Sequence, residues 1–88
     1  MTLTTLIRAP KVGDLRGYGR SQVYADVARG ILPPPIRRSR KMSVWPAFEI
    51  EAVNRAEISG ASEEEIKALV KQLVEQRKHV RESGGATT

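Results

Sequence analysis

The chain has 88 residues, no cysteine and a formal net charge of +5. This length forms one small domain with a modest core, and the absence of cysteine excludes disulfides and thiolate metal sites as added support. The single histidine, His79, has no carboxylates at metal-ligand spacing, and no apolar run approaches a membrane span. We therefore expect no cofactor, no membrane partner, no signal peptide and a cytoplasmic location.

Charge is divided unevenly along the chain. Residues 1–45 carry nine Lys or Arg and two Asp, a net charge of +7, whereas residues 46–88 carry six Lys or Arg and eight Glu, a net charge of −2. A one-sided basic surface is typical of proteins that bind the phosphate backbone of nucleic acids. The alternative is a solvated basic surface without a partner, and the clean separation of charge favours nucleic acid.

The N-terminal residues predict a short strand and a short helix. Residues 1–8 are rich in Thr, Leu and Ile and form either a lead strand or a segment that packs on the domain. A proline suits the first turn of a helix, so residues 10–16 are predicted to be a helix that buries Val12 and Leu15. Gly13 within it costs about 1 kcal/mol relative to alanine if exposed, so tertiary packing must hold this helix.

Two glycines then open a second, amphipathic helix. Gly17 and Gly19 can form a tight turn, and Gly30 stands where a helix-ending glycine is expected. Residues 20–29 place Val23, Val27 and Ala28 on one face with Tyr24 at its edge, and the opposite face carries Gln22, Ala25, Asp26 and Arg29. A short helix held at an angle by a preceding helix and a glycine turn is typical of a helix-turn-helix.

A proline segment and a basic hairpin follow. We interpret Pro33, Pro34 and Pro35 as a stiff spacer, in preference to an SH3-type ligand, because they admit neither helix nor central strand. Residues 36–45 predict a β-hairpin, or wing, whose basic run is Arg37, Arg38, Ser39, Arg40 and Lys41. Four cations within five positions repel one another without an anionic partner, which favours phosphate contact over a merely solvated loop.

Residues 45–60 predict a tryptophan anchor and a third helix. Trp45 is interpreted as a core residue beneath the hairpin, not as a platform for stacked bases. Pro46 is expected at the first position of the helix, which ends near residues 58–60. Its apolar side is predicted from Phe48, Ala52 and Val53 with Ile50 at the margin, and its solvent side from Glu49 and Glu51.

A capping box starts the last helix. Ser62 can accept from a backbone amide while Glu65 reaches back, and the helix is expected to end near Arg81. Its apolar stripe either docks on the same chain, which we favour, or pairs with a second copy in a homodimer through Ile66, Leu69, Leu73 and Val80. The predicted organisation is a domain over residues 1–58, a docking or dimerisation helix over 59–82 and a flexible tail over 83–88.

Several short motifs keep a characteristic spacing: Arg20-Ser21-Gln22-Val23-Tyr24, Gly30, Pro33-x-Pro35-Ile36, Lys41, Val44-Trp45-Pro46 and Glu49-Ile50. In these residues the chain resembles the AlpA-type prophage regulators, small bacterial proteins akin to phage excisionases. The resemblance implies a mainly α fold with a small β-hairpin, a MerR-like winged helix-turn-helix plus a C-terminal helix. The chain departs from that family in having Gly19 at the usual serine cap and Arg38 at a usually aliphatic position.

The charge pattern and the resemblance lead to one main functional prediction. We expect a sequence-specific DNA-binding protein of phage or mobile-element origin, acting as a transcriptional regulator or an excisionase-like recombination directionality factor in a bacterial cytoplasm. Double-stranded DNA is the expected partner, with an integrase or RNA polymerase as further candidates. The predicted DNA contacts are Arg20, Ser21, Gln22, Ala25, Asp26, Arg29, Arg37, Arg38, Ser39, Arg40 and Lys41.

The roles of these contacts follow from side-chain chemistry. Gln22 suits adenine and Arg29 suits guanine, whereas Arg20 at a helix N-terminus suits phosphate. Asp26 would accept from cytosine, or would orient Gln22 or Arg29.

Two alternatives remain, a phage terminase small subunit and an interaction adaptor that does not bind DNA. An enzyme is not expected, because no nucleophile is paired with a base and no glycine loop has P-loop spacing.

Overall fold

A computed structural model describes the backbone of residues 5–87 and the side chains of residues 5–80. Within that range the elements are β1 (Leu6–Arg8), α1 (Ala9–Arg16), α2 (Arg20–Arg29), β2 (Ile36–Ser39), β3 (Met42–Pro46), α3 (Ala47–Ile58) and α4 (Glu63–Thr87). The three antiparallel strands have the order β1-β3-β2, and the helices pack around one core. A mainly α fold with a small β-hairpin is therefore confirmed.

β3 is the central strand and pairs with β1 as well as with β2. Residues 6–8 lie antiparallel to residues 44–46, so that Arg8 is opposite Val44. The lead strand is confirmed for residues 6–8, and residues 1–4 lie outside the described part of the chain. This pairing brings Arg8 to the side of the hairpin, although the two are far apart in sequence.

α1 and the turn that connects it to α2 approach closely at a glycine. Gly13 is buried, and a Cβ atom built on it would lie 2.6 Å from the backbone oxygen of Tyr18. Gly17 follows α1 with a φ of 80°, which residues with a side chain rarely adopt. The prediction that Val12 is buried is confirmed, but the prediction for Leu15 is wrong. Leu15 is 44% exposed because Val12 and Gly13 occupy the inward side of α1.

The close approach at Gly13 predicts a steric cost for any larger residue. Gly13→Ala is expected to lower the free energy of unfolding by about 1–3 kcal/mol, because the obstacle is backbone and cannot turn away. Gly19→Ser is the matched control, since Gly19 caps α2 with a φ of −81° and a Cβ there would meet nothing within 4 Å. Serine should retain or slightly raise stability. Equal urea midpoints for Gly13→Ala and wild type would contradict the prediction.

α2 ends as predicted. Gly30 has a φ of 82°, its amide donates to the Val27 carbonyl, and the Ile31 amide donates to the Asp26 carbonyl. These two hydrogen bonds satisfy carbonyls that the end of a helix leaves without intrahelical donors. The glycine therefore fixes where α2 stops and where the proline segment begins.

The proline segment is held by hydrogen bonds from two other elements. Trp45 is fully buried, as predicted for a core anchor, and its Nε1 donates to the Pro33 carbonyl at 2.7 Å. Nη2 of Arg77 donates to the Pro34 carbonyl at 2.8 Å. Both contacts agree with the interpretation of the prolines as a spacer inside the domain.

α3 buries a different face from the one predicted. Pro46 is the last residue of β3 and caps α3, which begins one residue later than expected, at Ala47. Glu49, predicted in solvent, is 0% exposed, and Phe48, predicted on the apolar side, is 43% exposed. The reason is Arg77 of α4, whose Nη2 and Nε lie 2.6 and 2.9 Å from the two Glu49 carboxylate oxygens. This ion pair draws the carboxylate inward, and the phenyl ring stays outside.

α4 begins with the predicted capping box and docks on the rest of the chain. The Ser62 amide donates to Glu65 Oε1 at 2.8 Å, and the Glu65 amide donates to Ser62 Oγ at 3.1 Å. The hydrogen bond from the Ser62 amide holds the pKa of the Glu65 carboxyl below its ordinary value. Ile66, Val70 and Leu73 belong to the same core as Trp45. Among the described helices, none is both long and apolar enough to cross a membrane.

The C-terminal helix is longer than predicted, and the homodimer alternative stays a prediction. Ile66 and Leu73 are buried in the core of the chain, which agrees with the docking that we favour, and Val80 is 43% exposed. The helix does not end near Arg81 but continues to Thr87, through most of the tail predicted to be flexible. Glycine inside a helix costs about 1 kcal/mol but, unlike proline, does not prevent helical hydrogen bonding.

Candidate nucleic-acid interface

α2 presents most of its predicted contact residues to solvent. Five of them are exposed: Arg20, Ser21, Gln22, Ala25 and Arg29. Val23 is buried and Val27 packs against the core, as predicted. Ala28 was predicted on the same apolar face but is exposed. The inward face of α2 consists instead of Val23, Asp26 and Val27. The exposed side of α2 therefore carries side chains that can donate or accept hydrogen bonds beside a small alanine.

The prediction that Asp26 contacts a base is wrong. Asp26 is 3% exposed; its Oδ2 accepts from the Tyr18 hydroxyl at 2.6 Å, and its Oδ1 accepts from Gln22 Nε2 at 2.8 Å. Arg16 Nη2 lies 3.7 Å from Oδ2. A carboxylate with these partners faces the interior. Of the roles considered for it, the orientation of Gln22 is the one that the contacts allow.

Arg16 connects this carboxylate to α3. Its Nη2 donates to Glu57 at 2.9 Å, its Nη1 to Asn54 at 2.8 Å and its Nε to the Tyr18 hydroxyl at 3.1 Å. Burial opposes the charge, but the hydrogen bonds to Glu57 and Tyr18 outweigh burial and raise the pKa of Arg16 above its ordinary value. Burial, aided by the hydrogen bond to Asp26, raises the pKa of Tyr18. The three helices α1, α2 and α3 are thus tied together by polar contacts directly behind the exposed face of α2.

The hairpin exposes all of its predicted contact residues: Arg37, Arg38, Ser39, Arg40 and Lys41. Arg37 lies opposite Ser43 and Ser39 opposite Met42, so a bulge leaves Arg38 without a cross-strand partner. A bulge breaks the strict alternation of a strand and re-aims its side chains. Both arginines can therefore reach solvent, and the turn between the strands adds two more cations.

A cleft joins the start of α2 to the hairpin tip. Its cationic side chains are Arg8 of β1, Lys11 of α1, Arg20 of α2 and Lys41 of the hairpin, and we call this group the basic cleft. The cleft has a volume of about 550 Å³, and Tyr24 of α2 also lines it. The first turn of α2 and the tip of the hairpin therefore share one concave surface.

The cations of this surface have no acidic partner, a property that Lys71 of α4 alone shares among the other described Lys and Arg side chains. Within the described residues no ion pair is formed by Arg8, Lys11, Arg20, Arg37, Arg38, Arg40 or Lys41. In the C-terminal half, by contrast, glutamates pair with Arg55, Lys67, Arg77 and Lys78. Positive charge without an internal partner is thus concentrated on the basic cleft and the hairpin.

Arg29 stands apart from this group at the other end of α2. Its Nη2 lies 2.7 Å from Oε1 of Glu63 at the start of α4, and both side chains are about half exposed. Exposed pairs of this kind contribute about 0–1 kcal/mol. The pair therefore positions Arg29 without preventing it from turning to another acceptor.

The sequence reasoning did not find Arg8, Lys11 or Tyr24 as parts of this surface. Both cations belong to the basic half of the chain. The pairing of β1 with β3 carries Arg8 to the hairpin, and Lys11 follows on α1, which begins directly after β1. Tyr24 was placed at the edge of the apolar face of α2. In the structure its ring makes an edge contact with Trp45, with centroids 5.9 Å apart, and it is 41% exposed.

Over the described residues, no group of three or more His, Cys, Asp or Glu side chains is arranged to hold a metal ion. Comparisons of the chain with protein-family models, curated proteins and solved structures found no match. The resemblance to AlpA-type regulators therefore stays a prediction.

Proposed function

We propose that the protein binds double-stranded DNA through α2 and the hairpin, as a winged helix-turn-helix transcriptional regulator or recombination directionality factor of phage or mobile-element origin. The observation that carries the proposal is the basic cleft, in which cations from β1, α1, α2 and the hairpin converge. None of the four has an acidic partner among the described residues. Phosphate oxygens are the partners that such a group fits.

Base recognition is assigned to the exposed side of α2. In the major groove, Gln22 can bond an adenine through two hydrogen bonds, Arg29 can bond a guanine, and Ala25 can approach a thymine methyl group. A helix of this length spans about 15 Å, enough to place Gln22 and Arg29 over different base pairs. The hairpin would lie on the neighbouring backbone or in the minor groove, where arginine is the commonest basic insertion.

Duplex binding at several salt concentrations tests the proposal directly. The duplexes are the region upstream of the protein's own gene, a candidate attachment site of the same element and a scrambled sequence of equal composition. We expect affinity to fall steeply with salt for all of them, and a genomic duplex to be preferred over the scrambled one. Absence of duplex binding at low salt would refute the proposal.

Removal of the two cations at the hairpin tip is expected to weaken binding to the duplex. Arg40→Ala together with Lys41→Ala removes two exposed cations without an acidic partner in the described chain, so duplex affinity should fall on the order of tenfold or more near 0.1 M salt. Arg55→Ala together with Lys78→Ala is the matched control, because it removes the same charge from exposed pairs with Glu51 and Glu75. If both double variants lose affinity equally, net charge alone explains the binding and the hairpin has no specific role.

A further inference from the structure

Asp26 lies in the middle of α2, yet its carboxylate is directed away from solvent. Oδ2 accepts from the Tyr18 hydroxyl and lies 3.7 Å from Arg16 Nη2, while Oδ1 accepts from Nε2 of Gln22 one helical turn earlier. Asp26 is 3% exposed, whereas Gln22 is exposed. One buried acceptor therefore holds an exposed amide that belongs to the candidate interface.

This contact decides which way the Gln22 amide points. A carboxylate only accepts hydrogen bonds, so Nε2 must face Asp26, because the reversed amide would set Oε1 against Oδ1. Oε1 and the second N–H of the amide are then directed away from Asp26. The two N–H groups of an amide point in different directions, and one can serve Asp26 while the other remains beside Oε1.

We propose that Asp26 is a positioning residue that determines base specificity, by holding the Gln22 amide so that one acceptor and one donor face the DNA. This inference rests on the proposed function and specifies which base Gln22 recognises. Adenine offers a donor at N6 and an acceptor at N7 in the major groove, which matches Oε1 and the free N–H of Gln22. Guanine offers two acceptors, O6 and N7, and does not match that edge.

The substitution Asp26→Asn separates this role from a structural one. Asparagine has nearly the shape of aspartate, and its Oδ1 can still accept from the Tyr18 hydroxyl. Its Nδ2 would then face Gln22, whose amide must reverse so that Oε1 accepts. The reversed Gln22 presents its NH₂ group to the groove and fits the two guanine acceptors.

The experiment selects bound duplexes from a pool with a randomised central segment, using the full chain. Wild type should select adenine at one position, Gln22→Ala should lose that preference, and Asp26→Asn should change it to guanine. We expect each discrimination to be on the order of ten- to a hundredfold, with the other positions unchanged. Tyr18→Phe is the matched control: it removes the other hydrogen bond to Asp26, retains the Gln22 contact and should keep the adenine preference. Thermal unfolding of each variant shows whether it is folded.

The outcomes distinguish this inference from the proposal on which it rests. Unchanged base preference in Asp26→Asn, or the same loss of specificity in Asp26→Asn and Tyr18→Phe, would overturn the positioning role while leaving DNA binding intact. Failure of wild type to bind any duplex would overturn both. If Asp26→Asn does not fold, Asp26→Glu provides the second test. A longer carboxylate still only accepts, so adenine should remain preferred, and a change to guanine would contradict the inference.

Discussion

Replacing Arg77 with alanine is expected to lower the free energy of unfolding by about 3–5 kcal/mol, the largest single-residue effect that we predict. Glu49 is fully buried, and both of its carboxylate oxygens are bonded by Arg77. Removing the guanidinium leaves a buried charge without compensation and also frees the Pro34 carbonyl. Urea unfolding measures this loss of stability: the midpoint should fall, while the slope of the free energy of unfolding against urea concentration stays unchanged.

Two further variants show whether the unpaired charge is the cause. Glu49→Gln in the Arg77→Ala background removes the charge and should recover part of the stability. Glu49→Met with Arg77→Met replaces the pair by apolar side chains. The free energy of unfolding of this double variant should be close to that of wild type, because such replacements are often neutral. If Arg77→Ala lowers the free energy of unfolding by less than about 1 kcal/mol, the ion pair contributes no more than an exposed pair does, and the prediction is contradicted.

Removing the three cations of the basic cleft that lie outside the hairpin, with Arg8→Ala, Lys11→Ala and Arg20→Ala together, should weaken duplex binding on the order of a hundredfold near 0.1 M salt. Affinity falls with salt, and each lost phosphate contact makes the slope of log affinity against log salt less steep by about 0.9. The slope of the triple variant should therefore be less steep than that of wild type by about 2.7. Since phosphate contacts do not distinguish bases, all duplexes should be affected alike. Shift assays at several salt concentrations measure both the duplex affinity and its slope against salt.

The control for the cleft removes an equal charge elsewhere. Arg55→Ala, Lys67→Ala and Lys78→Ala delete three cations that pair with glutamates on α3 and α4. This triple variant should retain most of the salt slope. A slope unchanged by the cleft variant would place the phosphates on another surface.

The helices and the hairpin could be predicted because their signals are local. The capping box at Ser62, the glycine that ends α2 and the basic run between two apolar strand ends each lie within a few residues of the structure they specify. The buried face of α3 could not be predicted in this way. Glu49 is inside because of Arg77, which lies 28 residues further along, and helical periodicity treats every glutamate as a solvent residue.

The candidate interface shows the same division. The exposure of five candidate residues on α2 and of all those on the hairpin agrees with the sequence pattern, since side-chain charge and helical spacing identify solvent positions. Asp26 was misplaced because its partners, Tyr18 and Arg16, come from the preceding turn and helix. Arg8 and Lys11 were missed because strand pairing, which brings them to the hairpin, joins distant parts of the chain.

The pairing of β1 with β3 has a consequence for how the chain acquires its shape. These strands come from the two ends of a long loop that contains α1, α2 and the prolines, and closing it costs chain entropy before any ladder hydrogen bond compensates. The helical pair is then not expected to fold as an autonomous module, because Ala9, Val12 and Val23 share one core with Trp45 of the closing strand and with residues of α3 and α4. Assembly is therefore cooperative: the angle of α2 and the position of the hairpin are set in the same event.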